Sequence, residues 1–422
     1  MADSPSGSAA RGLRVVVIGG SLGGLLAGNM LHRAGCDVTV HERIGTELAE
    51  RGVGIATHPE LHAAFERLGL PIDEAFGVRI ANRVALSTDG RILARHYLPQ
   101  IQATWGYLYR SLLGIFPDER YHAGNTLTRV ERHGEGVRAH FAERDPIDAD
   151  LLVGADGVRS TVRAQLWPDA APQYAGYVAW RAVVEEDRLS AATREVLFTR
   201  FVICLPPGEH VVGYPVAGAD GDIRPGRRRF NIVWYRAASP ERLEEMQTDE
   251  SGHYHEAGIP PALILPSLID ETRRAAKDGL PPALAEVVMR ARGLFFQTIV
   301  DVEVPQMVQG PVVMLGDAAF AARPHASMGV IKATGDAVQL ADAIAAHPGD
   351  VARALALYDA ERTRYGRMLS RHSRRLGTQI DTPQRSAVDR SLGDYVRLPE
   401  TIIRVTSLPP SCTPMARSDE EP

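Results

Sequence analysis

A cluster of glycines near the N-terminus has the spacing of a phosphate-binding turn. Residues 19–24 read GGSLGG and follow residues 15–18, an apolar, β-branched run that predicts a buried strand. Gly19 and Gly24 fill the outer positions of a GxGxxG motif, whereas Ser21 stands at its middle position. In such a turn the backbone can approach a pyrophosphate, and the N-terminus of the next helix stabilises the negative charge. The alternative is that the glycines form only a tight turn.

An acidic residue follows at the distance that a dinucleotide site requires. Residues 25–34 have helical spacing, and Gly35 suits the left-handed end of a helix. Residues 37–41 then predict a second strand that leads into Glu42. A carboxylate at the end of this strand can bind ribose hydroxyls, but it would repel a 2′-phosphate. The unit therefore predicts the binding of FAD or NAD.

Length and composition restrict the class of protein. The 422 residues are too many for one hydrophobic core and favour two domains. A formal net charge of -5 gives no reason to expect nucleic acid or an anionic membrane as a partner. No apolar run is long enough to span a bilayer, and residues 1–11 lack the apolar region of a signal peptide. The distant cysteines Cys36, Cys204 and Cys412 argue against a disulfide framework and for a cytoplasmic protein.

Two later stretches repeat the pattern of a buried strand that ends in a turn. Residues 151–157 read LLVGADG, and residues 312–319 read VVMLGDAA. Between them, residues 174–236 alternate and are rich in Val, Tyr and Trp, which predicts an antiparallel sheet with one face towards a cavity. From residue 378 onward the prolines predict an irregular tail.

These three motifs, in this order, resemble those of the single-component, NAD(P)H-dependent FAD aromatic hydroxylases. The likeness covers residues 15–376, and the segments YAGYVAWR and RPHASMGVIKATGDA are most similar to hydroxylases that act on hydroxypyridines. It implies an α/β fold with a Rossmann-like FAD-binding domain and an interleaved antiparallel-sheet substrate domain. We expect the FAD-binding domain to comprise residues 14–80, 103–172 and 296–376, the substrate domain residues 81–102 and 173–295, and an irregular tail residues 377–422.

The resemblance also implies a reaction. Noncovalently bound FAD is reduced by NADH or NADPH, which binds only transiently, and O2 then forms a flavin C4a-hydroperoxide that hydroxylates a small electron-rich aromatic or N-heteroaromatic ring. The protein positions the ring and excludes water, and no metal is needed. Two alternatives stay open, an FAD-dependent oxidoreductase of another class and a non-enzymatic FAD-binding regulator. Whether the protein is a monomer or a homodimer is also open.

The resemblance assigns positions around the cofactor. Asp317 matches a residue that bonds the ribitol hydroxyls of FAD, the alternative being a cap at the end of a strand. Gly329 lies near the start of the following helix and lets backbone amides approach the flavin pyrimidine ring. The candidate cofactor-binding residues are Gly19, Ser21, Leu22, Gly24, Glu42, Arg43, Arg110, Asp156, Asp317, Gly329 and Val330.

One lysine stands out in a chain that almost always uses arginine. Lys277 and Lys332 are the only lysines among 47 basic residues. Lys332 lies on the expected flavin-side helix, where a compact ammonium has a possible use that a guanidinium does not. It follows Ile331, which stands where many family members have an asparagine. The alternative is an exposed lysine on a helix.

Candidate bases lie in the expected substrate sheet and in the loop beside the flavin. His210 and Tyr214 are four residues apart, so on a strand they share a face, and either could bond or deprotonate a substrate hydroxyl. His325 is the other candidate base. The alternative for each is a structural role in the core or at the surface. The residues expected to line the substrate cavity are Tyr177, Trp180, Cys204 and Pro324.

Overall fold

Three β-sheets, of six, nine and three strands, organise the protein. The computed structural model describes residues 12–46, 54–382 and 387–406. Within these ranges the strands are β1 (Arg14–Ile18), β2 (Asp37–Glu42), β3 (Gly54–Ala56), β4 (Val78–Leu86), β5 (Ile92–Thr104), β6 (Tyr121–Ala123), β7 (Leu127–His133), β8 (Gly136–Phe141), β9 (Ile147–Ala149), β10 (Leu151–Gly154), β11 (Gln173–Glu185), β12 (Arg200–Cys204), β13 (His210–Val216), β14 (Arg229–Ala237), β15 (Phe295–Glu303), β16 (Val308–Gln309), β17 (Val312–Met314) and β18 (Phe320–Ala321).

Helices connect these strands and cover the sheets. In the described ranges they are α1 (Leu22–Arg33), α2 (Pro59–Arg67), α3 (Trp105–Leu113), α4 (Thr161–Leu166), α5 (Ala191–Leu197), α6 (Pro240–Met246), α7 (Pro266–Gly279), α8 (Pro282–Arg290), α9 (Gly329–Ala346), α10 (Val351–Gly377), α11 (Ala387–Val396) and α12 (Pro399–Val405). Among the described helices, none combines the length and the apolar character needed to cross a membrane.

The six-stranded sheet is the expected nucleotide-binding layer. Its order is β16-β17-β10-β1-β2-β6, and β1 pairs in parallel with both β2 and β10, while β10 pairs in parallel with β17. The side chains of β10 and β17 are buried in both directions, as expected for apolar runs without alternation. Helix α1 follows β1, and α9 packs against α1. The predicted α/β fold class is confirmed.

The nine-stranded sheet has two faces of different composition. Its order is β18-β15-β11-β14-β13-β12-β4-β5-β3. On the outer face, Trp180 and Trp234 belong to a hydrophobic cluster with helices α5–α8. On the inner face, Tyr177 and Tyr235 share a core with the six-stranded sheet. The inner face is therefore the side on which a site between the two sheets has to form.

The predicted domain boundaries fall partly inside this sheet. The boundary at 80/81 lies within β4, and that at 102/103 lies within β5. Strand β15, which pairs with β11, begins one residue before the boundary at 295/296 and continues to Glu303. The division into an FAD-binding and a substrate domain stays a prediction, with these strands spanning its edges.

The prediction of an irregular tail from residue 377 onward is wrong for residues 387–405. Helices α11 and α12 lie there, and the side chains of Ile402 and Ile403 on α12 are buried against the core. The prolines misled the prediction, because Pro399 is the first residue of α12, where a missing N–H costs nothing. Helix α12 packs on β4 and β5.

One buried arginine fastens α12 to the nine-stranded sheet. The Arg83 side chain on β4 is fully buried and donates to the backbone carbonyls of Ile403 and Thr406. It also donates to the Gln100 side chain, and its guanidinium lies 4.8 Å from the centre of the Phe201 ring. Backbone carbonyls at the end of a helix need such donors when water is excluded.

We expect Arg83→Met to lower the free energy of unfolding by about 1–3 kcal/mol, because buried carbonyls lose their donors. Limited proteolysis should also cut the α12 segment faster than in the wild type. Arg95→Met, which removes an exposed arginine from β5 of the same sheet, is the matched control. Urea unfolding and a protease time course check both effects, and equal behaviour of the two variants would contradict the role given to Arg83.

Candidate functional site

The carboxyl ends of the parallel strands meet around one cavity. Because β1, β2 and β10 are parallel, the glycine turn, Glu42 and Asp156 all follow strands at the same edge of the sheet. A cavity of about 470 Å³ lies there. Its walls include Ser21 and Glu42 on one side and Arg181 and Gln297 of the nine-stranded sheet on the other. The cavity therefore lies between the two sheets.

The glycine turn is closed so tightly that two of its positions exclude any side chain. Gly19 has a φ of +103°, and a Cβ there would lie 2.3 Å from the Ala155 carbonyl oxygen. A Cβ on Gly24 would lie 1.8 Å from the carbonyl oxygen of Gly19. Ser21 precedes α1, and its side chain makes no capping hydrogen bond. The first backbone N–H groups of α1, from Leu22 onward, are thus available to an anion in the cavity.

The Glu42 carboxylate is held in a fixed orientation at the cavity wall. It is buried, and its two oxygens accept hydrogen bonds from the backbone N–H groups of Gly20 at 2.8 Å and Ile44 at 2.9 Å. Each oxygen keeps a lone pair for a further donor, such as a ribose hydroxyl. Arg43 beside it is exposed and also lines the cavity. This arrangement fits the adenosine end of FAD.

Of the predicted cofactor-binding residues Asp156 and Arg110, only Asp156 lines the cavity. Asp156 lines the cavity, and its Oδ2 accepts from the Val162 backbone N–H at 3.2 Å. Its Oδ1 is buried without a partner among the described residues, and burial raises the pKa of the carboxyl. Arg110 is exposed on α3 and is not part of the cavity wall. The predicted role of Arg110 thus requires movement of its side chain.

Asp317 and the start of α9 lie next to each other. A Cβ added to Gly329, the first residue of α9, would lie 4.0 Å from Asp317 Oδ1. Solvent reaches the Asp317 side chain, but protein atoms lie on several sides of it. We therefore interpret the side chain as facing an open cleft. Burial raises the pKa of Asp317, and the ammonium of Lys332 counteracts this. With Val330, these groups fit the ribitol and pyrimidine parts of FAD.

Lys332 belongs to a buried ionic cluster beneath Asp317 and is not an exposed helix lysine. Its Nζ donates to the Gly316 carbonyl at 2.7 Å and lies 3.2 Å from Asp336 Oδ2. The same Asp336 oxygen accepts from the Gly316 N–H at 2.9 Å, and Asp336 Oδ1 pairs with Arg362 Nε at 2.7 Å. Although burial opposes ionisation, Lys332 and Arg362 hold the pKa of Asp336 below its usual value. The cluster fixes the turn that presents Asp317.

A chain of hydrogen bonds links two histidines and a tyrosine on the inner face. His325 Nε2 lies 2.8 Å from the Tyr177 hydroxyl, and His325 Nδ1 lies 3.3 Å from His210 Nδ1. The Gln379 amide nitrogen donates to His210 Nδ1. Since that nitrogen accepts, His325 must carry its proton on Nδ1, and the Tyr177 hydroxyl then donates to His325 Nε2. Burial lowers the pKa of His210 to about 3 and that of His325 well below 6.5, so both rings are neutral.

Tyr214 shares the inner face with His210 but has a different partner. Its hydroxyl donates to the Gly54 carbonyl at 2.8 Å, and its ring stacks on Phe201 with 5.1 Å between the centroids. Burial raises the pKa of the Tyr214 hydroxyl. The structure thus brings His210 together with His325 rather than with Tyr214.

Two residues expected to line the substrate cavity lie on the outer face of the sheet, away from the cavity between the two sheets. Trp180 and Cys204 are buried in the outer hydrophobic cluster, whereas Tyr177 is on the inner face and Pro324 is half-buried beside His325. Their separation from Tyr177 has a simple cause. Tyr177 and Trp180 are three residues apart on one strand, and side chains of a strand alternate.

Correct alternation would have pointed to residues that sequence reasoning missed. Counting in twos from Tyr177 along β11 leads to Arg181, which lines the cavity. Asn231 and Tyr235 occupy inner-face positions on β14 in the same way. The signal was present in the sequence as a polar residue four positions from an aromatic one on the same strand, Arg181 from Tyr177 and Asn231 from Tyr235.

Known proteins with related sequences and structures cover most of this chain. A family model described as FAD binding domain-like matches residues 174–301, which include β11–β14 and most of β15. A 2,6-dihydroxypyridine 3-monooxygenase of Paenarthrobacter nicotinovorans is 30% identical over 78% of this chain and 82% of its own length. A 3-amino-4-hydroxybenzoate 2-monooxygenase of Streptomyces cremeus is 31% identical over 88% of this chain and 89% of its own. The structure of 2,6-dihydroxypyridine-3-hydroxylase from Arthrobacter nicotinovorans aligns with a TM-score of 0.81 at 27% identity, covering 89% of this chain and 95% of that one.

We expect Lys332→Met to weaken FAD binding by about 1–3 kcal/mol, because the Gly316 carbonyl loses its donor and Asp317 loses a stabilising charge. Lys277→Met is the matched control, since it removes the only other lysine, which is exposed on α7. Equilibrium titration of each apoprotein with FAD gives the dissociation constants. An unchanged FAD affinity in Lys332→Met, with the variant folded, would count against this role.

We expect the free energy of unfolding to fall as the pH drops below about 6.5. The His210 pKa is lowered to about 3 in the folded protein, so between these values the unfolded state binds more protons and acid destabilises the fold. Each such histidine contributes about 1.4 kcal/mol per pH unit in this window. The double variant His210→Gln/His325→Gln should therefore have a shallower pH slope in urea unfolding, whereas His32→Gln, at an exposed position, should not. Equal slopes in all three proteins would show that the pair does not titrate in this way.

Proposed function

We propose a substrate class and a proton route for this chain on the premise that it belongs to the FAD-dependent aromatic monooxygenases. The chain uses NAD(P)H and O2 to hydroxylate an electron-rich aromatic ring. FAD, when bound, accepts electrons from NAD(P)H and activates oxygen for transfer to the ring. The glycine turn, Glu42 and Asp317 are the residues that we assign to holding it.

The proposed substrate is a single hydroxylated ring of the hydroxypyridine type. Its support is the related dihydroxypyridine monooxygenase and the buried polar side chains of the inner face, among them His210 and Asn231. The observation that carries the proposal is the buried chain Tyr177–His325–His210, because a hydroxylated ring needs to lose a proton to become electron-rich. An apolar substrate without a hydroxyl would have no proton for these three side chains to accept.

We propose that Tyr177, His325 and His210 pass on the proton of the substrate hydroxyl, and that none of them keeps it. A histidine whose pKa is depressed by burial cannot retain a proton, but it can accept one on Nε2 while releasing another from Nδ1. Tyr177 Oη is the entry atom in this proposal. His210 then takes up the proton at Nδ1 while it releases the proton of its own Nε2 to a water that enters the site. Gln379 keeps the His210 ring in the required orientation through its amide.

Tyr214 receives a positioning role in the same proposal. Its proton is engaged by the Gly54 carbonyl, and its raised pKa makes it a poor base. The bond ties β13 to β3, which borders the cavity at Gly54 and Ile55. Arg323, which pairs with Asp301, fixes the loop that carries Pro324 and His325.

Product analysis with labelled oxygen tests the function directly. The purified holoprotein is given NADH or NADPH, 18O2 and 2,6-dihydroxypyridine, with a benzene ring lacking a hydroxyl as a comparison. The proposal expects one labelled oxygen atom in a hydroxylated pyridine, and faster NAD(P)H oxidation when the pyridine is present. Oxidation of NAD(P)H to peroxide that no aromatic ring accelerates would favour the alternative of another class of flavin oxidoreductase.

We expect Tyr177→Phe and His325→Gln each to slow hydroxylation roughly a hundredfold, which is the usual scale for losing a general base or its relay. FAD affinity should stay close to that of the wild type, because neither side chain lines the nucleotide cavity. Tyr174→Phe is the matched control, because it removes another tyrosine hydroxyl from the same strand. That hydroxyl donates to the Ala238 carbonyl. Rapid mixing of reduced protein with oxygen and saturating substrate isolates this step, and wild-type rates in both variants would remove the relay from the proposal.

A further inference from the structure

We propose that Gln379 and Arg397 are positioning residues, which fix the direction of proton transfer through the two buried histidines. This inference rests on the proposed function and deepens it, because it names the groups that decide which ring nitrogens carry hydrogen. Gln379 and Arg397 lie beyond residue 376, where the family resemblance of the sequence ends. Neither of them was among the candidate residues of the sequence.

The two histidines alone do not set a direction. Their Nδ1 atoms lie 3.3 Å apart, so one of these nitrogens has to carry the hydrogen and the other has to accept it. If His325 carries it, His325 Nε2 accepts from the Tyr177 hydroxyl, whose oxygen stays free to accept from a substrate hydroxyl. If His210 carries it, both hydrogen bonds are reversed. Burial lowers the pKa of both rings, so charge does not decide between the two arrangements.

The amide of Gln379 decides between them. Its nitrogen donates to His210 Nδ1 at 2.5 Å, and an amide N–H cannot bond to another N–H. His210 therefore carries its hydrogen on Nε2, and His325 carries its own on Nδ1. His210 Nε2 is buried without a partner among the described residues, so its hydrogen is available to a water that enters. Gln379 thus directs the proton from Tyr177 towards His210.

The same side chain can also serve the state after the transfer. Once His210 Nδ1 has taken up a proton it becomes a donor, and the Gln379 N–H no longer fits it. The amide oxygen of Gln379 is buried and has no partner in the described part of the chain, so rotation of the amide can present this oxygen to the new N–H. The net change is one proton, which leaves the substrate hydroxyl and is replaced by the one that His210 Nε2 gives to water.

A short segment after α10 holds Gln379 in place. Gln379 is fully buried, and its backbone carbonyl accepts from the guanidinium of Arg397, the residue after α11. Two residues further on, the Asp381 N–H donates to the Gly208 carbonyl at 3.2 Å, just before β13 begins at His210. The charge of Arg397 also adds to the effect of burial in lowering the pKa of His210. Arg397 therefore lies close enough to act on the ring through Gln379.

The last residue of α10 packs directly on the entry atom of the proton route. A Cβ on Gly377 would lie 2.8 Å from the Tyr177 hydroxyl and 3.0 Å from Arg323 Nη1. The φ of Gly377 lies outside the left-handed region, so the end of the helix does not itself require a glycine. The close approach to Tyr177 does. The end of α10 and the residues after it thus contact both ends of the route, through Gly377 and through Gln379.

NMR of 15N-labelled histidine in the oxidised holoprotein tests the inference, because the ring shifts show which nitrogen carries the hydrogen. The variants His210→Gln and His325→Gln assign the signals. We expect hydrogen on Nε2 of His210 and on Nδ1 of His325 in the wild type, and mixed tautomers in Gln379→Met. Arg397→Met should change the populations in the same direction but less, because it loosens the amide without removing it.

Hydroxylation should slow about tenfold in Gln379→Met, because only part of the molecules then hold the productive tautomer. Rapid mixing of reduced protein with oxygen and saturating 2,6-dihydroxypyridine measures this step. FAD affinity should stay unchanged, since Gln379 does not line the nucleotide cavity. Gln173→Met is the matched control, because it removes an exposed glutamine from β11 and should keep both the tautomers and the rate.

Each outcome has a defined meaning. Hydrogen on Nδ1 of His210 in the wild type overturns the inference, and so do unchanged tautomers in Gln379→Met, since the amide would then only pack against the ring. Changed tautomers with a wild-type rate of hydroxylation also overturn it. Tautomers that depend on Gln379, in a protein that forms no hydroxylated product from any hydroxypyridine, would keep the tautomer assignment and contradict the proposed function instead.

Discussion

The placement of the cofactor-facing groups depends on a single buried carboxylate, that of Asp336. It joins α9, on which it lies with Lys332, to Arg362 on α10 and to the backbone of Gly316. One negative charge thus serves two positive ones. Burial and the Asp336 carboxylate raise the pKa of the neighbouring Asp317, and the Lys332 ammonium counteracts them. Such a cluster is costly to bury, and it is tolerated because every member also has a hydrogen-bonding partner. The cluster fixes the turn at Gly316, next to Asp317, where we propose that FAD is held.

The two sheets contribute to the cavity in different ways, because their faces differ in polarity. The six-stranded sheet is apolar on both sides and offers only its edge, where backbone turns and carboxylates collect. The nine-stranded sheet is apolar on its outer face, whereas its inner face mixes apolar side chains with buried polar ones such as His210 and Asn231. Its outer cluster with α5–α8 supplies the stability that lets the inner face keep unpaired polar groups. The family model matched this sheet rather than the glycine turn, which agrees with the sheet being the more distinctive part of the fold.

The sequence alone was sufficient to predict those parts of the fold that depend on neighbouring residues in the chain. The glycine turn, Glu42 and Asp317 follow from patterns within about thirty residues, and their strands and helices are where the spacing predicted. Alternation would also have corrected Trp180, because it too is local. The contact between His210 and His325 could not be predicted in this way, since 115 residues separate the two and only the packing of a loop on a sheet joins them. The burial of Lys332 depended likewise on a partner, Arg362, in another helix.

The fastening of α12 by Arg83 has a consequence for the order in which the protein can be made. Arg83 emerges from the ribosome early, but the carbonyls that accept from it lie 320 and 323 residues later. At a synthesis rate of about 5–20 residues per second, a delay of roughly 16 to 64 seconds separates the two. During that interval Arg83 can donate to Gln100, but the two carbonyls of the α12 segment are not yet available to it. The packing of α12 on β4 and β5 therefore has to wait until the α12 segment has been translated, and it is a late step in the maturation of this protein.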